Sequence, residues 1–129
     1  MECPECGVEL VTFAVPIEYR RHVPETADVA AICPTCLRLL AAAGENPNAA
    51  FDRIGGSFPA TDAAGVPMAI AVGLLDSLAL HRDAVEELLE AVEAAGVDPL
   101  LVLDRLDAQG TVQPTFDISR RRHQIEQLR

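Results

Sequence analysis

The sequence predicts an α+β fold, in which a β-hairpin near the N-terminus is followed by a mostly helical region. All four cysteines and the clearest alternation of apolar residues lie within residues 1–40. In residues 41–129, apolar residues recur at helical spacing between turn signals. We therefore expect two units, a small hairpin module at 1–40 and a helical region at 41–129.

The core of this fold must be mostly aliphatic. Half of the 129 residues are apolar, but the aromatic residues are only one Tyr and four Phe. A chain of this length fits one compact domain, or a small module joined to a larger one. Leucine, valine and alanine are therefore expected to pack the helical region as a small aliphatic bundle.

The hairpin is predicted from a period-two pattern. The apolar residues of its first strand, all expected on one buried face, are Val11, Phe13, Val15 and Ile17. Pro16 has no N–H to donate, so it belongs near the end of the strand or at an edge. A turn or loop at 18–26 is expected next, and 27–32 returns as the second strand.

The helical region begins soon after the hairpin. A short helix is predicted at 37–44, followed by a turn or loop at 46–56. Pro67 suits the first turn of a longer helix that runs to about Leu80. The next helix spans 82–95, and the pattern leaves open whether 67–95 forms one bent helix or two. The apolar face of the helix at 82–95 carries Val85, Leu88, Leu89 and Val92.

Two further helices complete the prediction. Asp98 is expected to cap the first of them, with Pro99 at its first helical position and Gly110 just past its end. The last helix is predicted at 117–128.

The strongest motif is a pair of matching Cys-Pro-x-Cys segments, separated by 26 residues. The four cysteines are Cys3, Cys6, Cys33 and Cys36. Two cysteines separated by two residues can bind one ion from a single tight turn, and two such turns supply the four ligands that zinc prefers. Gly7 permits the left-handed backbone that this turn needs. A closed four-thiolate site leaves no position for substrate, so we predict a structural Zn²⁺ site and a zinc ribbon at 1–40.

Other chemistry fits the same spacing less well. Rubredoxin-like iron sites also use two such pairs, but the chain has no Trp, and only Phe13 and Tyr19 are aromatic between the pairs. Dithiol redox chemistry would not need two matching pairs. Disulfides are disfavoured in a reducing cytoplasm, which is where we expect this chain.

The motifs also resemble a known family. The opening Met-Glu-Cys-Pro-Glu-Cys-Gly, the second Cys-Pro-x-Cys and the segment at 73–82 are similar to an uncharacterised haloarchaeal family of small CPxCG-related zinc-ribbon proteins. The resemblance covers most of the chain. It implies four cysteine ligands and a haloarchaeal cytoplasm, and it implies no activity. Leu37 stands where the motif usually has Gly, so the second turn is expected to open directly into a helix.

The charge pattern supports a halophilic setting. The net charge is −10, and all ten basic residues are arginine. Such acidity disfavours phosphate backbones, although in salt-loving archaea it reflects the solvent and not the partner. The longest uncharged run, 63–75, is shorter than the ~20 residues of a membrane span, so neither a membrane segment nor a targeting signal is expected.

Two basic clusters and His81 are further candidate functional sites. Arginine forks suit phosphate, so Arg20, Arg21 and His22 in the hairpin loop allow a nucleic-acid-binding alternative. We favour a solvated loop there, and a solvated helix face with ion pairs for the segment at 120–123. His81 lies near several acidic residues but outside any metal-ligand spacing, so it is expected at a surface or helix junction.

The sequence therefore predicts a zinc-stabilised protein-interaction or adaptor module, and not an enzyme. Its partner would be another protein or a second copy of the chain. A nucleic-acid-associated zinc ribbon and a rubredoxin-like iron electron carrier are the alternatives.

Overall fold

The computed structural model describes residues 1–129 and has three β-strands and four α-helices. The strands are β1 (Val11–Ala14), β2 (Val29–Ile32) and β3 (Leu39–Ala41). The α-helices are α1 (Asp62–Gly73), α2 (Arg82–Ala94), α3 (Pro99–Gln109) and α4 (Ile118–Leu128). Short 3-10 helices span Ile17–His22, Pro24–Thr26, Phe51–Arg53 and Leu75–Leu80. The α+β class is confirmed, and none of the helices has the length and apolar character that a membrane crossing requires.

The sheet is antiparallel, with β2 between β1 and β3. Ile32 of β2 lies opposite Val11 on one side and opposite Leu39 on the other. The helix predicted at 37–44 is therefore wrong, because this segment supplies the third strand. The chain leaves a helical path at Leu37, which has a left-handed backbone with φ 64°. The chain then pairs with the second edge of β2, whose backbone N–H and C=O groups gain hydrogen-bond partners.

Strand β1 is shorter than predicted. Val11, Phe13 and Val15 are buried, as the alternation predicts. Ile17, however, is 78% exposed, so its predicted place in the core is wrong. The strand ends at Ala14, and after Pro16 the chain forms a 3-10 helix that begins at Ile17.

The outer edge of β1 is covered by the loop that follows β3. The Thr12 N–H donates to Asn48 Oδ1 at 3.2 Å, and the Asn48 N–H donates to Thr12 Oγ1 at 2.9 Å. The Ala49 N–H donates to the Thr12 carbonyl at 2.8 Å. The buried Thr12 side chain is thus satisfied, and the strand edge is closed.

Helix α1 is the central helix of the fold. Every residue from Ala64 to Val72 is buried, as expected for a helix that is apolar on all sides. Pro67 lies inside this helix and not in its first turn, so that prediction is wrong, because the helix begins at Asp62. The predicted end near Leu80 is also wrong. The α-helix ends at Gly73, and a 3-10 helix joins it to α2, so 67–95 contains two α-helices.

Gly73 is where α1 approaches the sheet. A Cβ at this position would lie 2.5 Å from Leu39 Cβ of β3, well inside ordinary contact. The missing side chain therefore lets the C-terminal end of α1 pack directly on β3.

Helices α2 and α3 follow the prediction. Val85, Leu88, Leu89 and Val92 of α2 are all buried. Asp98 caps α3, because its Oδ1 accepts from the Leu100 N–H at 3.1 Å and the Leu101 N–H at 3.3 Å. One cluster of 31 buried apolar residues includes side chains from the sheet and from all four α-helices. The division near residue 40 stays a prediction.

Candidate metal centre

The first cysteine pair lies on a tight turn that precedes β1. The Gly7 N–H donates to the Cys3 carbonyl at 2.8 Å, and the Cys3 N–H donates to the Val8 carbonyl at 2.8 Å. Gly7 has φ 71°, in the left-handed region that only glycine adopts at low cost. This turn, here called the first knuckle (residues 3–8), brings Cys3 and Cys6 to one side.

The second cysteine pair repeats this geometry between β2 and β3. The Leu37 N–H donates to the Cys33 carbonyl at 2.9 Å, and the Cys33 N–H donates to the Arg38 carbonyl at 3.0 Å. Leu37 takes the place of Gly7 and adopts the same left-handed backbone. The prediction that the second turn opens directly into a helix is therefore wrong, because strand β3 follows it. It forms a second knuckle, residues 33–38.

The two knuckles bring all four cysteines together. Each Sγ atom lies within 4.8 Å of the others, and Cys3 Sγ is 3.8 Å from Cys36 Sγ. Four sulfurs bound to one tetrahedral zinc at about 2.3 Å would be separated by about 3.8 Å. The arrangement could therefore hold one metal ion with four thiolates. Cys3 and Cys33 are buried, Cys36 is half-buried and Cys6 is exposed.

Backbone N–H groups point at the sulfurs. The N–H groups of Thr35 and Cys36 each donate to Cys33 Sγ at 3.4 Å. In the first knuckle, the backbone N–H groups of Cys6 and Glu5 lower the pKa of the Cys3 thiol. Such bonds stabilise thiolates, which are the form that binds a metal.

The pKa values of the Cys3 and Cys36 thiols are shifted in opposite directions. Burial and, to a smaller extent, the three other sulfurs raise the pKa of the Cys36 thiol to about 12, although the Arg38 N–H acts in the opposite direction. Burial acts in the same direction at Cys3, but the N–H groups and neighbouring sulfurs outweigh it and lower that pKa to about 7. A cation among the sulfurs would favour the thiolate at all four positions, so metal binding is coupled to proton release.

The site is joined to the rest of the molecule on both sides. Cys3 and Cys33 pack in a small apolar cluster with Leu10, Ala31 and Ala42 of the sheet region. The Gln113 N–H, from the segment between α3 and α4, donates to the Thr35 carbonyl of the second knuckle at 2.7 Å. Disruption of the knuckles would therefore disturb both the sheet and the C-terminal region.

The basic residues of the hairpin loop are docked on α2. Arg21 Nη2 and His22 Nε2 lie 2.5 Å from the two carboxylate oxygens of Glu87. Arg20 Nε donates to the Val15 carbonyl at 3.0 Å. The His22 hydrogen bond, and then Arg21, lower the pKa of Glu87 below its ordinary value. No sequence pattern predicts this contact, because Glu87 lies 65 residues from His22 and no short motif links them.

The second basic segment is divided among different neighbours. Arg122 pairs with Asp104 of α3 at 2.9 Å and with Glu126. Arg121 Nε instead donates to the Leu75 carbonyl at 2.7 Å, and Arg120 is exposed. His81 immediately precedes α2 and belongs to no cluster of potential metal ligands.

Comparisons with known proteins add a family and no activity. The model of DUF6276, a family of unknown function, matches residues 2–129. No curated protein and no solved structure matches the chain.

Proposed function

Because the chain belongs to DUF6276, a family of unknown function, we propose its role from its own site: a zinc-stabilised protein-interaction or adaptor module. The observation that carries this proposal is the set of four sulfurs within 4.8 Å of one another on two matching knuckles. Four thiolates fill a tetrahedral zinc, so the ion has no open position for substrate and acts through folding. The module is therefore non-enzymatic in this proposal.

The setting that we propose is a haloarchaeal cytoplasm, with the chain related to the small CPxCG zinc-ribbon proteins. The acidic, lysine-free composition supports a salt-rich solvent. Reduced thiols, which zinc binding requires, are maintained in a cytoplasm.

A protein partner is favoured over nucleic acid by the loop contacts. The Glu87 carboxylate already contacts Arg21 and His22, so two of the three basic groups in the hairpin loop have a partner within the chain. A phosphate would have to displace this carboxylate, on a chain whose net charge is −10. We therefore propose that the partner is a protein and not a nucleic acid.

The test is affinity capture in high salt with three baits, namely the zinc-loaded chain, Cys33→Ser and Thr35→Ser. Cys33 is a ligand, whereas Thr35 lies in the same knuckle and contributes its backbone N–H, which serine retains. Proteins captured by the wild type and by Thr35→Ser, but lost with Cys33→Ser, would support a zinc-stabilised interaction module. Equal capture by all three baits, or specific capture of nucleic acid in place of protein, would contradict it.

A further inference from the structure

A groove lies between the 3-10 helix Leu75–Leu80 and helix α4, and it does not include the cysteines. Its volume is about 550 Å³. We call it the Leu80 groove, and its lining includes Asp76, Leu80, Arg82, Arg121 and Leu128. It therefore combines apolar side chains with charges of both signs.

Leu80 is the most exposed of the large apolar side chains, at 82%. Single exposed leucines are common and need no partner. This one differs because it borders a groove that also contains Ala79, itself exposed, and the half-buried Leu128. An identical groove on a second molecule would offer Leu80 an apolar site of suitable size.

The charges of the groove are unusual for this chain. Arg82 and Arg121 have no carboxylate within 4.0 Å, although the chain has twenty acidic residues and ten arginines. Arg121 is also held in place, because its Nε donates to the Leu75 carbonyl and its Nη1 donates to Gln124. A cation that is already ordered loses little entropy when it pairs.

Asp76 supplies the opposite charge in the same groove, and it too forms no ion pair. The groove thus has two arginines and one carboxylate on a molecule whose net charge is −10. Two such acidic molecules repel each other over most of their surface. They repel least where carboxylates are not in excess, as at this groove, where each copy can place Asp76 opposite the arginines of the other.

We infer that two copies of the chain associate through the Leu80 groove about a twofold axis. Leu80 of each copy enters the groove of the other, and Asp76 of each copy faces the arginines of the other. A twofold contact must be self-complementary, and an apolar side chain beside its own groove, with both charge signs present, meets that condition. This inference rests on the proposed function, since it identifies a second copy as a partner.

The test is sedimentation of the full zinc-loaded chain in molar KCl, at about 100 μM protein and in a dilution series. Leu80→Glu removes the apolar contact, and its control is Ile17→Glu, which alters a similarly exposed apolar residue on the hairpin loop. Arg82→Glu reverses the sign of a groove charge. Its control, Arg105→Glu, changes the net charge equally at an exposed arginine that also lacks an ion pair.

We expect a wild-type mass of twice 13.8 kDa. Leu80→Glu and Arg82→Glu should weaken the dimer by about tenfold or more, and both controls should leave it unchanged. A monomeric wild type, or controls that dissociate as readily as the groove variants, would overturn the inference.

Zinc content and melting temperature, measured on the same samples, test the proposed function separately. A monomer that retains zinc and melts cooperatively would refute the groove contact alone. A dimer that needs the groove but folds without metal would refute the zinc-stabilised module alone.

Discussion

The left-handed turn of the first knuckle leads to a prediction that depends only on backbone conformation. Gly7 has φ 71°, and a Cβ built there meets no heavy atom within 4 Å. Gly7→Ala therefore introduces no clash. Its cost is the left-handed conformation itself, about 1–2 kcal/mol for a residue with a Cβ. The lower entropy of the unfolded alanine chain offsets about 0.4–1 kcal/mol of this, which leaves a loss of about 1 kcal/mol.

Gly56 provides the matched control. It also has no heavy atom within 4 Å of an added Cβ, but its φ lies outside the left-handed region. Gly56→Ala should therefore stabilise the protein by about 0.4–1 kcal/mol, through the unfolded state alone. The same substitution is thus expected to have opposite signs at two open positions.

The assay is thermal or chemical unfolding of both variants with zinc in slight excess. A difference of about 1 kcal/mol corresponds to a few degrees in melting temperature for a chain of this size. Gly7→Asn should recover part of the loss, because asparagine tolerates the left-handed region. If Gly7→Ala and Gly56→Ala change stability in the same direction, the proposed knuckle geometry is wrong.

Three further predictions concern packing, pH and salt. Leu37→Ala in the second knuckle should lower the unfolding free energy by about 2–4 kcal/mol, because Leu37 is only 2% exposed. The control Leu101→Ala on α3 should lower it by less than about 1 kcal/mol. Equal losses would contradict the burial of Leu37 in the knuckle. The pKa of Glu87, followed by carbon-13 NMR, should lie below 4.5 and rise in His22→Gln. Since this pKa is lowered on folding, the ionised Glu87 carboxylate stabilises the protein fully above pH 4.5. Its contribution is lost as the pH falls through the pKa of Glu87 in the folded state. An unchanged Glu87 pKa in His22→Gln would exclude the contact between the two residues. The melting temperature of the zinc-loaded chain should rise from dilute buffer to molar KCl. The Debye length falls to about 3 Å at 1 M, which screens the repulsion between the carboxylates. A melting temperature that stays flat or falls with added salt counts against a halophilic chain.

The elements that could be predicted from the sequence are those with a local signal. The Asp98-Pro99 pair predicts the start of α3, because both residues act within one helical turn. The spacing of the cysteines likewise places two sulfurs on each turn, and the hairpin between them explains why all four meet.

The elements that were missed depend on contacts between distant residues. The sequence of strand β3 predicts a helix because it is short and leucine-rich. The left-handed backbone of Leu37 and pairing with the free edge of β2 make it a strand. The burial of the Leu37 side chain offsets the cost of its left-handed backbone. A motif with glycine at this position does not predict that burial. The docking of the hairpin loop on Glu87 joins residues 65 positions apart, so no local pattern predicts it.

The most direct test of the zinc site is the metal content of the purified chain, measured for zinc and iron together. We expect one zinc per chain, no iron, and complete loss of the metal in Cys33→Ser with unfolding of the hairpin. The Thr35→Ser control should retain its zinc. A red, iron-loaded protein would favour the electron-carrier alternative, and a folded chain without metal, linked by two disulfides, would contradict the zinc-stabilised module.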